Sequence, residues 1–335
     1  MNHWQRVEAA IAGEPTDTVP VAMWRHFPGD DLDPGLLAAH MLRWQRRWDF
    51  DLVKFMPPGT YGVVDWGAGT EYRGNAIGTR DVVAPAVRRT EDWERIGPLD
   101  HRAGSWGRQN EALRVAASAL GGTVPILQTV FSPLTTARKL STDRLFADLR
   151  CHPETLHRAL RVITDVTIGF ALEAIDAGAH GIFLATQLAT WRLLSTDEYR
   201  RFGQDYDLEI LRALEGRSRL NMLHAHGDDV MFDVLAEYPV EMLNWHDRLT
   251  PPPIAAATTR FPRLLVGGLN EHGTLLSGWP DEIRAEVADA ICQSGGRRLM
   301  IGPGCVLPVA ARERSIEAVV DAVRNPPSGA HASPT

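Results

Sequence analysis

The segment LNMLHAH (residues 220–226) is an apolar run of strand length that ends in two histidines. It is nearly continuously apolar rather than alternating, which is typical of a strand buried on both faces. Such strands occur in parallel sheets that are covered by helices. This segment therefore predicts an α/β protein.

Seven further runs of the same kind recur along the chain, and segments of helix length separate most of them. The eight predicted strands are residues 19–24, 52–56, 124–130, 181–185, 220–226, 240–246, 264–269 and 298–301. The amphipathic segments between them include residues 34–48, 153–177, 196–215, 280–293 and 308–323. Eight alternating units of strand and helix predict a (β/α)8 TIM barrel, formed as a single domain by residues 1–324.

Residues 59–104 interrupt this alternation after the second predicted strand. They carry several glycines and short mixed runs, which indicate an insertion that contains a hairpin. Long insertions over the carboxyl ends of barrel strands often cover a binding site, so one interpretation is a lid. The other is a surface elaboration or a contact between two copies of the chain. Residues 325–335 are small and polar, and we expect them to form a disordered tail.

Composition and charge narrow the classes of partner. The chain has 335 residues, of which 44% are hydrophobic and 23% charged, as in globular proteins with a sizeable core. Its net charge is −7 and it has no block of basic residues, which argues against nucleic acid or an anionic membrane as partner. No apolar run has the length of a membrane span, and the first residues lack the pattern of a secretory signal. The three cysteines are too few for a disulfide framework, so we expect a cytoplasmic protein.

Two histidines and one cysteine at strand ends suggest a metal site. Residues two apart on a strand share a face, so His224 and His226 point to the same side. Cys305 follows the last predicted strand, and a barrel brings the carboxyl ends of its strands together. Two imidazoles and a thiolate with one free position are the ligands of a catalytic zinc. The alternative is that the histidines are hydrogen-bonded core residues and the cysteine a small buried apolar group. A fourth protein ligand is left open among His246, Asp247 and Glu271.

Other polar and aromatic side chains at strand ends are expected to bind a small-molecule substrate. They are Arg25, His26, Lys54, Gln128, Gln187, Trp245, His246 and Asn270. Arg25 and His26 could hold an anionic group, because a guanidinium recognises a carboxylate with two hydrogen bonds. Lys54 lies inside an apolar strand, where an amine must find a partner or lose its charge.

Four segments give the chain a resemblance to a known family. They are RVEAAIAGEP (6–15) leading to VPV (19–21), LSTDEY (194–199), VGGLN (266–270) and GCVLP (304–308). In their order and spacing the chain resembles the uroporphyrinogen decarboxylase superfamily over nearly its whole length. This resemblance implies a single (β/α)8 barrel.

The superfamily has two chemical branches, and two sites in the sequence favour one of them. The decarboxylase branch has an arginine-rich loop after the first strand and a catalytic aspartate after the second. This chain has WRHFPG (24–29) with one arginine and KFMPP (54–58) with no aspartate, which fits a tetrapyrrole with many carboxylates poorly. The other branch, the corrinoid-dependent thiol methyltransferases such as the methylcobalamin:coenzyme M enzymes, binds zinc through His-x-Cys and Gly-Cys. That pattern maps onto His224, His226 and Cys305.

The chain departs from this pattern at the second ligand, where His226 replaces the usual cysteine. Zinc with a single thiolate keeps a charge of about +1, which strengthens its action on a bound thiol or water. The same charge makes a bound thiolate a poorer nucleophile. An acidic residue that is common after the fourth strand of methyltransferase relatives is also missing, since Thr186 and Gln187 stand there.

The resulting hypothesis is a zinc-dependent methyltransferase-like enzyme. It holds a thiol substrate as a zinc thiolate, which accepts methyl from methylcobalamin or another corrinoid on a separate corrinoid protein. One alternative is a lyase that decarboxylates a smaller carboxylic acid held by Arg25 and Lys54, or a zinc-bound water acting in the same pocket. Another is a metal-free binding protein on the same barrel. Whether the chain forms a homodimer is left open.

Overall fold

A computed structural model describes residues 1–325, and seven parallel strands form its central sheet. The strands of the chain are β1 (Val53–Phe55), β2 (Gly69–Glu71), β3 (Asp81–Ala84), β4 (Ile126–Phe131), β5 (Gly181–Thr186), β6 (Met222–Ala225), β7 (Met242–Trp245), β8 (Leu264–Leu269) and β9 (Leu299–Pro303). The sheet order is β1-β4-β5-β6-β7-β8-β9, and each neighbouring pair is parallel. β2 and β3 pair only with each other, as an antiparallel hairpin.

Helices follow most strands of the sheet. They are α1 (His3–Ala12), α2 (Pro34–Trp48), α3 (Tyr61–Val64), α4 (Gly104–Leu120), α5 (Pro133–Ser141), α6 (Arg144–Cys151), α7 (Pro153–Asp176), α8 (Thr196–Tyr199), α9 (Asp205–Ala213), α10 (Phe232–Ala236), α11 (Ile254–Ala257), α12 (Thr274–Ser277), α13 (Pro280–Ser294) and α14 (Glu313–Arg324). The predicted helix over residues 196–215 is divided by a π-helical turn, Arg200–Gln204, between α8 and α9. No helix within residues 1–325 has both the length and the apolar character that crossing a membrane requires.

A short segment near the start of the chain joins the two edge strands of the sheet. The N–H of Ile301 in β9 donates to the Pro20 carbonyl (2.8 Å), and the N–H of Ala22 donates back to the Ile301 carbonyl (3.0 Å). On the other side the N–H of Asp51, just before β1, donates to the Val21 carbonyl (2.9 Å). The segment therefore stands where the eighth strand of a barrel would stand.

The strand predicted over residues 19–24 is, however, reduced to one parallel bridge between Val21 and Ile301. Pro20 has no N–H to donate, so a regular hydrogen-bond ladder cannot extend through it. The other seven predicted strands lie within two residues of the observed bounds, and residues 264–269 coincide with β8.

The strands separate two hydrophobic cores. Met222 and Met242 belong to one cluster of buried side chains, whereas their chain neighbours Leu223 and Leu243 belong to the other. Because side chains alternate between the faces of a strand, His224 shares the face of Met222. The inner face of the sheet thus carries this histidine towards the carboxyl ends of the strands.

The segment between β1 and α4 holds α3, the β2–β3 hairpin and a 3₁₀ turn, Thr90–Arg95. Its role as a lid stays a prediction. Of the predicted tail, residues 326–335 lie outside the described residues.

Residues 20–22, which join the two edge strands, are called the closing segment below. The buried carboxylate of Asp51 links this segment to both ends of the described chain. It accepts hydrogen bonds from the N–H of Val21 (2.9 Å), from Arg6 in α1 (2.5 Å) and from Arg324 in α14 (3.0 Å). His3 Nδ1 lies 2.9 Å from the same carboxylate. Burial opposes ionisation, yet these hydrogen bonds and charges lower the pKa of Asp51. One ionised group therefore holds the first helix, the last helix and the closing segment together.

We expect Asp51→Asn to lower the free energy of unfolding at pH 7 by about 3 kcal/mol, because Arg6 and Arg324 each lose the buried carboxylate with which they pair. The folded-state pKa of Asp51 lies below its unfolded value. Its contribution is thus fully present above about pH 4 and is lost as the pH falls through the folded pKa. Urea unfolding should show a constant difference from wild type between about pH 7 and pH 5, and a difference that shrinks as the pH falls below about 4.

Asp49→Asn provides the matched control, since Asp49 is exposed and, within residues 1–325, its carboxylate pairs only with the His3 ring (3.1 Å). Exposed pairs of this kind contribute about 0–1 kcal/mol, so the unfolding midpoint should hardly move. Equal stability of Asp51→Asn and wild type at pH 7 would show that the closure does not depend on this carboxylate.

Candidate metal centre

Three potential metal ligands converge at the carboxyl ends of β6 and β9. The ligand atoms of His224, His226 and Cys305 all lie within 4.8 Å of one another. Cys305 Sγ is 3.6 Å from His224 Nε2 and 3.5 Å from His226 Nδ1. The structure thus brings together the three residues that the sequence singled out, although their binding of a metal stays a prediction.

A close backbone contact directs the chain from β9 into Cys305. A Cβ atom on Gly304 would stand 2.8 Å from the Cα atom of His246, so only glycine fits there. The N–H of Gly304 donates to Glu271 Oε2 (3.1 Å). The turn after β9 is therefore pressed against the ends of β7 and β8, and this contact sets the position of the thiol.

Asn244 in β7 fixes the tautomer of His224. The Asn244 amide donates to the carbonyls of Val266 (2.8 Å) and Pro303 (3.0 Å), so its oxygen must face His224. That oxygen lies 2.6 Å from His224 Nδ1 and accepts the ring proton. The Nε2 lone pair is then directed at Cys305, as in metal-binding histidines whose other nitrogen is hydrogen-bonded. Asn244 was not among the predicted site residues.

A second histidine–acid pair adjoins the three ligands. His246 Nε2 lies 3.2 Å from His226 Nδ1, and His246 Nδ1 lies 2.8 Å from the buried Glu271. Burial opposes protonation, but Cys305 and Glu271 raise the pKa of His246 to about 10. Asp247, another suggested fourth ligand, instead accepts the N–H of Gly268 (2.9 Å).

The histidines and the cysteine influence one another's ionisation. Burial raises the pKa of the Cys305 thiol, but the three surrounding histidines reverse this effect and lower it well below its usual range. Burial lowers the pKa of His224 and favours its neutral form. A thiolate beside a neutral imidazole is the ionisation state in which both groups bind metals.

These ligands form one wall of a pocket of about 300 Å³. The remaining walls are mainly apolar and include Trp24, Met56, Ile77, Phe131, Phe183 and Val306. The hairpin contributes the stretch from Thr79 to Val82, so part of residues 59–104 borders the pocket.

Only some of the predicted substrate-binding residues line this pocket, namely His26, Lys54 and Gln187. Arg25 is directed elsewhere, and its guanidinium donates to the Val309 carbonyl (3.2 Å). Trp245 faces the outer core, where its indole donates to the Pro252 carbonyl (3.0 Å).

The other predicted positions have local roles. Gln128 is fully buried in β4, and its side-chain atoms have no hydrogen-bond partner among the described residues. Asn270 accepts the N–H groups of His272 (3.1 Å) and Gly273 (2.9 Å) in the turn after β8. His246 stands behind the ligands rather than in the pocket wall.

Lys139 in α5 lines the pocket and was missed by the sequence reasoning. No local pattern marks it, since it sits in an ordinary amphipathic helix. Its rarity was the available signal, because only two of the 35 lysine and arginine residues in the chain are lysines.

Comparison with known proteins gives a family match and several distant relatives. The family model described as Uroporphyrinogen decarboxylase (URO-D) matches residues 31–326. The methylcobamide:CoM methyltransferase MtbA of Methanosarcina acetivorans is 21% identical over 246 residues, which cover 73% of this chain and 71% of that protein. A uroporphyrinogen decarboxylase of Mycobacterium bovis is 27% identical over 242 residues, covering 66% of this chain and 64% of that protein.

Two solved structures share the architecture. A methyltransferase from Methanosarcina mazei matches with a TM-score of 0.84 at 22% identity, covering 96% of this chain and 98% of that one. A B12-independent methionine synthase from Shewanella matches with a TM-score of 0.57 at 14% identity, covering 92% of this chain and 94% of that one. At these identities the likeness concerns the fold.

The hydrogen bond from His224 to Asn244 leads to a test of the site. We expect Asn244→Leu to weaken Zn²⁺ binding by about 10–100-fold, because the imidazole loses the partner that fixes its tautomer. Competition with a chromogenic chelator measures this affinity.

Asn221→Leu is the matched control, because Asn221 hydrogen-bonds the N–H of Ile182 (3.1 Å) at the opposite end of β6. It should cost stability and leave the zinc affinity unchanged. Equal zinc affinity of Asn244→Leu and wild type would show that His224 does not bind the metal.

Proposed function

This chain belongs to the uroporphyrinogen decarboxylase family, and within it we propose a metal-dependent methyltransferase whose acceptor is a small thiol and whose donor is a corrinoid on a separate protein. The observation that carries this proposal is the set of three ligand atoms within 4.8 Å, which forms one wall of a pocket. The methylcobamide:CoM methyltransferases among its relatives support the same reaction class.

The donor set suits zinc. His224, His226 and Cys305 supply two nitrogens and one sulfur, and they leave the pocket side free for a substrate atom. The Asn244–His224 hydrogen bond is the kind of outer contact that orients a metal-binding imidazole. When bound, zinc would lower the pKa of a substrate thiol, which at about 8.5 is otherwise mostly protonated at neutral pH.

The chain's own residues would prepare the acceptor for transfer. Trp24 and Phe183 line the pocket and exclude water from around a bound thiol. A corrinoid donor would supply the methyl group and would keep the electron pair of its carbon–cobalt bond. The thiol sulfur would form a bond to the methyl carbon and release its proton to solvent.

The size and charge of the pocket favour a small substrate over a tetrapyrrole. A volume of about 300 Å³ is at the lower end for ligand sites. Arg25, the single arginine of the loop after the first barrel segment, does not line the pocket. A substrate with many carboxylates would find too few partners here.

We also propose that residues 1–324 form one domain and that residues 59–104 act as its lid. The β2–β3 hairpin supports the second proposal, because residues from Thr79 to Val82 border the pocket beside the ligands.

A second candidate function is decarboxylation of a small carboxylic acid. The observation that favours it is Lys54, whose buried amine faces the pocket with His26 beside it. This reaction would need neither a thiol nor a corrinoid, so the two candidates separate in one assay.

We expect the purified protein to contain about one zinc per chain and to methylate a thiol only when methylcobalamin is added. Cys305→Ser and His226→Ala should both lose the metal and at least a hundredfold in methylation rate, because each removes one of three ligands. Metal analysis and thiol methylation measured by mass spectrometry give the two readouts.

Cys292→Ser is the control, since Cys292 is an exposed cysteine of α13 and should keep both zinc and activity. Zinc-containing protein that releases CO₂ from small acids, without methylating any thiol, would favour the lyase. A protein that binds no zinc and acts on neither thiols nor small acids would favour the interpretation as a metal-free binding protein.

A further inference from the structure

Both lysines of this chain line the pocket. Of 35 lysine and arginine residues in the sequence, only Lys54 and Lys139 are lysines, and both line it. They come from different elements, β1 and α5, which are far apart in sequence. The only side-chain ammonium groups of the chain are therefore concentrated where a ligand would bind.

Neither ammonium group has a carboxylate partner within residues 1–325. Lys54 Nζ contacts Met56 Sδ (2.6 Å), and Lys139 Nζ donates to the Gly59 carbonyl (2.5 Å). Aromatic rings supply the remaining contacts, at 4.3 Å for Lys54 over Phe183 and 3.4 Å for Lys139 over Phe131. A ring face and a carbonyl stabilise a cation far less than an anion does.

Burial lowers the pKa of Lys54 and the charge of Cys305 opposes this effect, but the other described residues of the pocket supply no anion to either lysine. Burial, together with the charges of Lys54 and Lys139, lowers the pKa of His26 to about 3, so its ring is neutral. Asp81 is the one carboxylate among the described residues that line the pocket, and it accepts a hydrogen bond from Asn75 (3.3 Å) rather than from a lysine. Protonation of either lysine therefore places a positive charge in the pocket that no carboxylate among the described residues pairs with.

We propose that Lys54 and Lys139 form an anion subsite that receives a carboxylate or sulfonate group of the substrate. The proposal rests on the proposed function insofar as the same molecule carries the thiol, and it adds Lys139 as a specificity-determining residue. Ammonium groups suit this task, because each one approaches a single oxygen without the planar alignment that a guanidinium requires.

Binding of anions that carry no thiol tests the subsite alone. We expect propionate and ethanesulfonate to bind the wild-type protein at least tenfold more tightly than their neutral counterparts, propionamide and ethanesulfonamide. Ligand-observed NMR titration measures such weak affinities. Lys139→Met and Lys54→Met should each weaken binding of both anions about tenfold and leave the neutral compounds within twofold, because each removes one charged hydrogen bond.

Arg138→Gln is the matched control, since Arg138 precedes Lys139 in α5 and pairs with Asp143 outside the pocket (3.1 Å). It removes the same charge and should leave all four affinities within twofold. Unchanged binding of both anions in the two lysine variants, or equal binding of anions and neutral compounds by wild type, would overturn the subsite.

A second measurement uses the wild-type chain, so it does not depend on the folding of a variant. Acetylation by acetic anhydride, read by mass spectrometry, reports each lysine and the amino terminus of Met1 separately. Ethanesulfonate should slow modification of both lysines at least threefold while the amino terminus reacts as before. Equal rates at both lysines with and without the anion would also overturn the proposal.

These outcomes are distinct from those of the methyltransferase test. Anion binding that depends on the lysines, without methylation of any thiol, would retire the methyl transfer and keep the subsite. Methylation of neutral 2-mercaptoethanol as fast as 2-mercaptoethanesulfonate would do the reverse.

Discussion

Closure of the sheet through residues 20–22 is the constraint on which the candidate site depends. The same segment that hydrogen-bonds Ile301 leads two residues later into Trp24, and the carbonyl of Trp24 accepts the N–H of Leu307 (3.0 Å). Cys305 lies between Ile301 and Leu307, so both of its flanks are tied to the closing segment. The Asp51 carboxylate secures the other end of that segment. The ion pairs of Asp51 at the amino ends of the strands therefore help to position Cys305 and Trp24 at the carboxyl ends.

The two ends of the barrel differ in how their buried charged groups are paired. At the amino end, Asp51 has its charge satisfied by two guanidinium groups and a backbone N–H. At the carboxyl end, Lys54 and Lys139 have no carboxylate partner within the described residues. At the same end His224 is oriented by the neutral amide of Asn244, and His246 lies beside the buried Glu271. This difference agrees with the general division of such barrels, in which one end provides stability and the other carries the chemistry.

The sequence predicted features that follow from a local pattern. It did not predict features that depend on the direction in which a side chain points. Continuous apolar character identified the seven strands of the central sheet without knowledge of their partners. The family prediction is confirmed by the match over residues 31–326. The His-x-His spacing and the convergence of strand ends were enough to assemble three ligand atoms. Trp245 shows the limit, because a shift of one residue from the inward-facing Asn244 turns its side chain to the outer core. For Lys139 the rarity of lysine was the one signal in the sequence, because sequence alone does not say which position of α5 faces the pocket.

The unpartnered amines explain how such a pocket could select by charge rather than by shape. Burial lowers the pKa of Lys54 and of Lys139 to about 7, because desolvation disfavours each ammonium form. Near neutral pH their positive charge is therefore only partly present until a counter-charge arrives. An anionic ligand restores the favourable electrostatic environment that burial removed, whereas a neutral thiol of the same size restores none. Burying two amines without a carboxylate partner costs the fold free energy. Because an anionic ligand recovers part of this cost and a neutral one does not, the pocket would prefer anions.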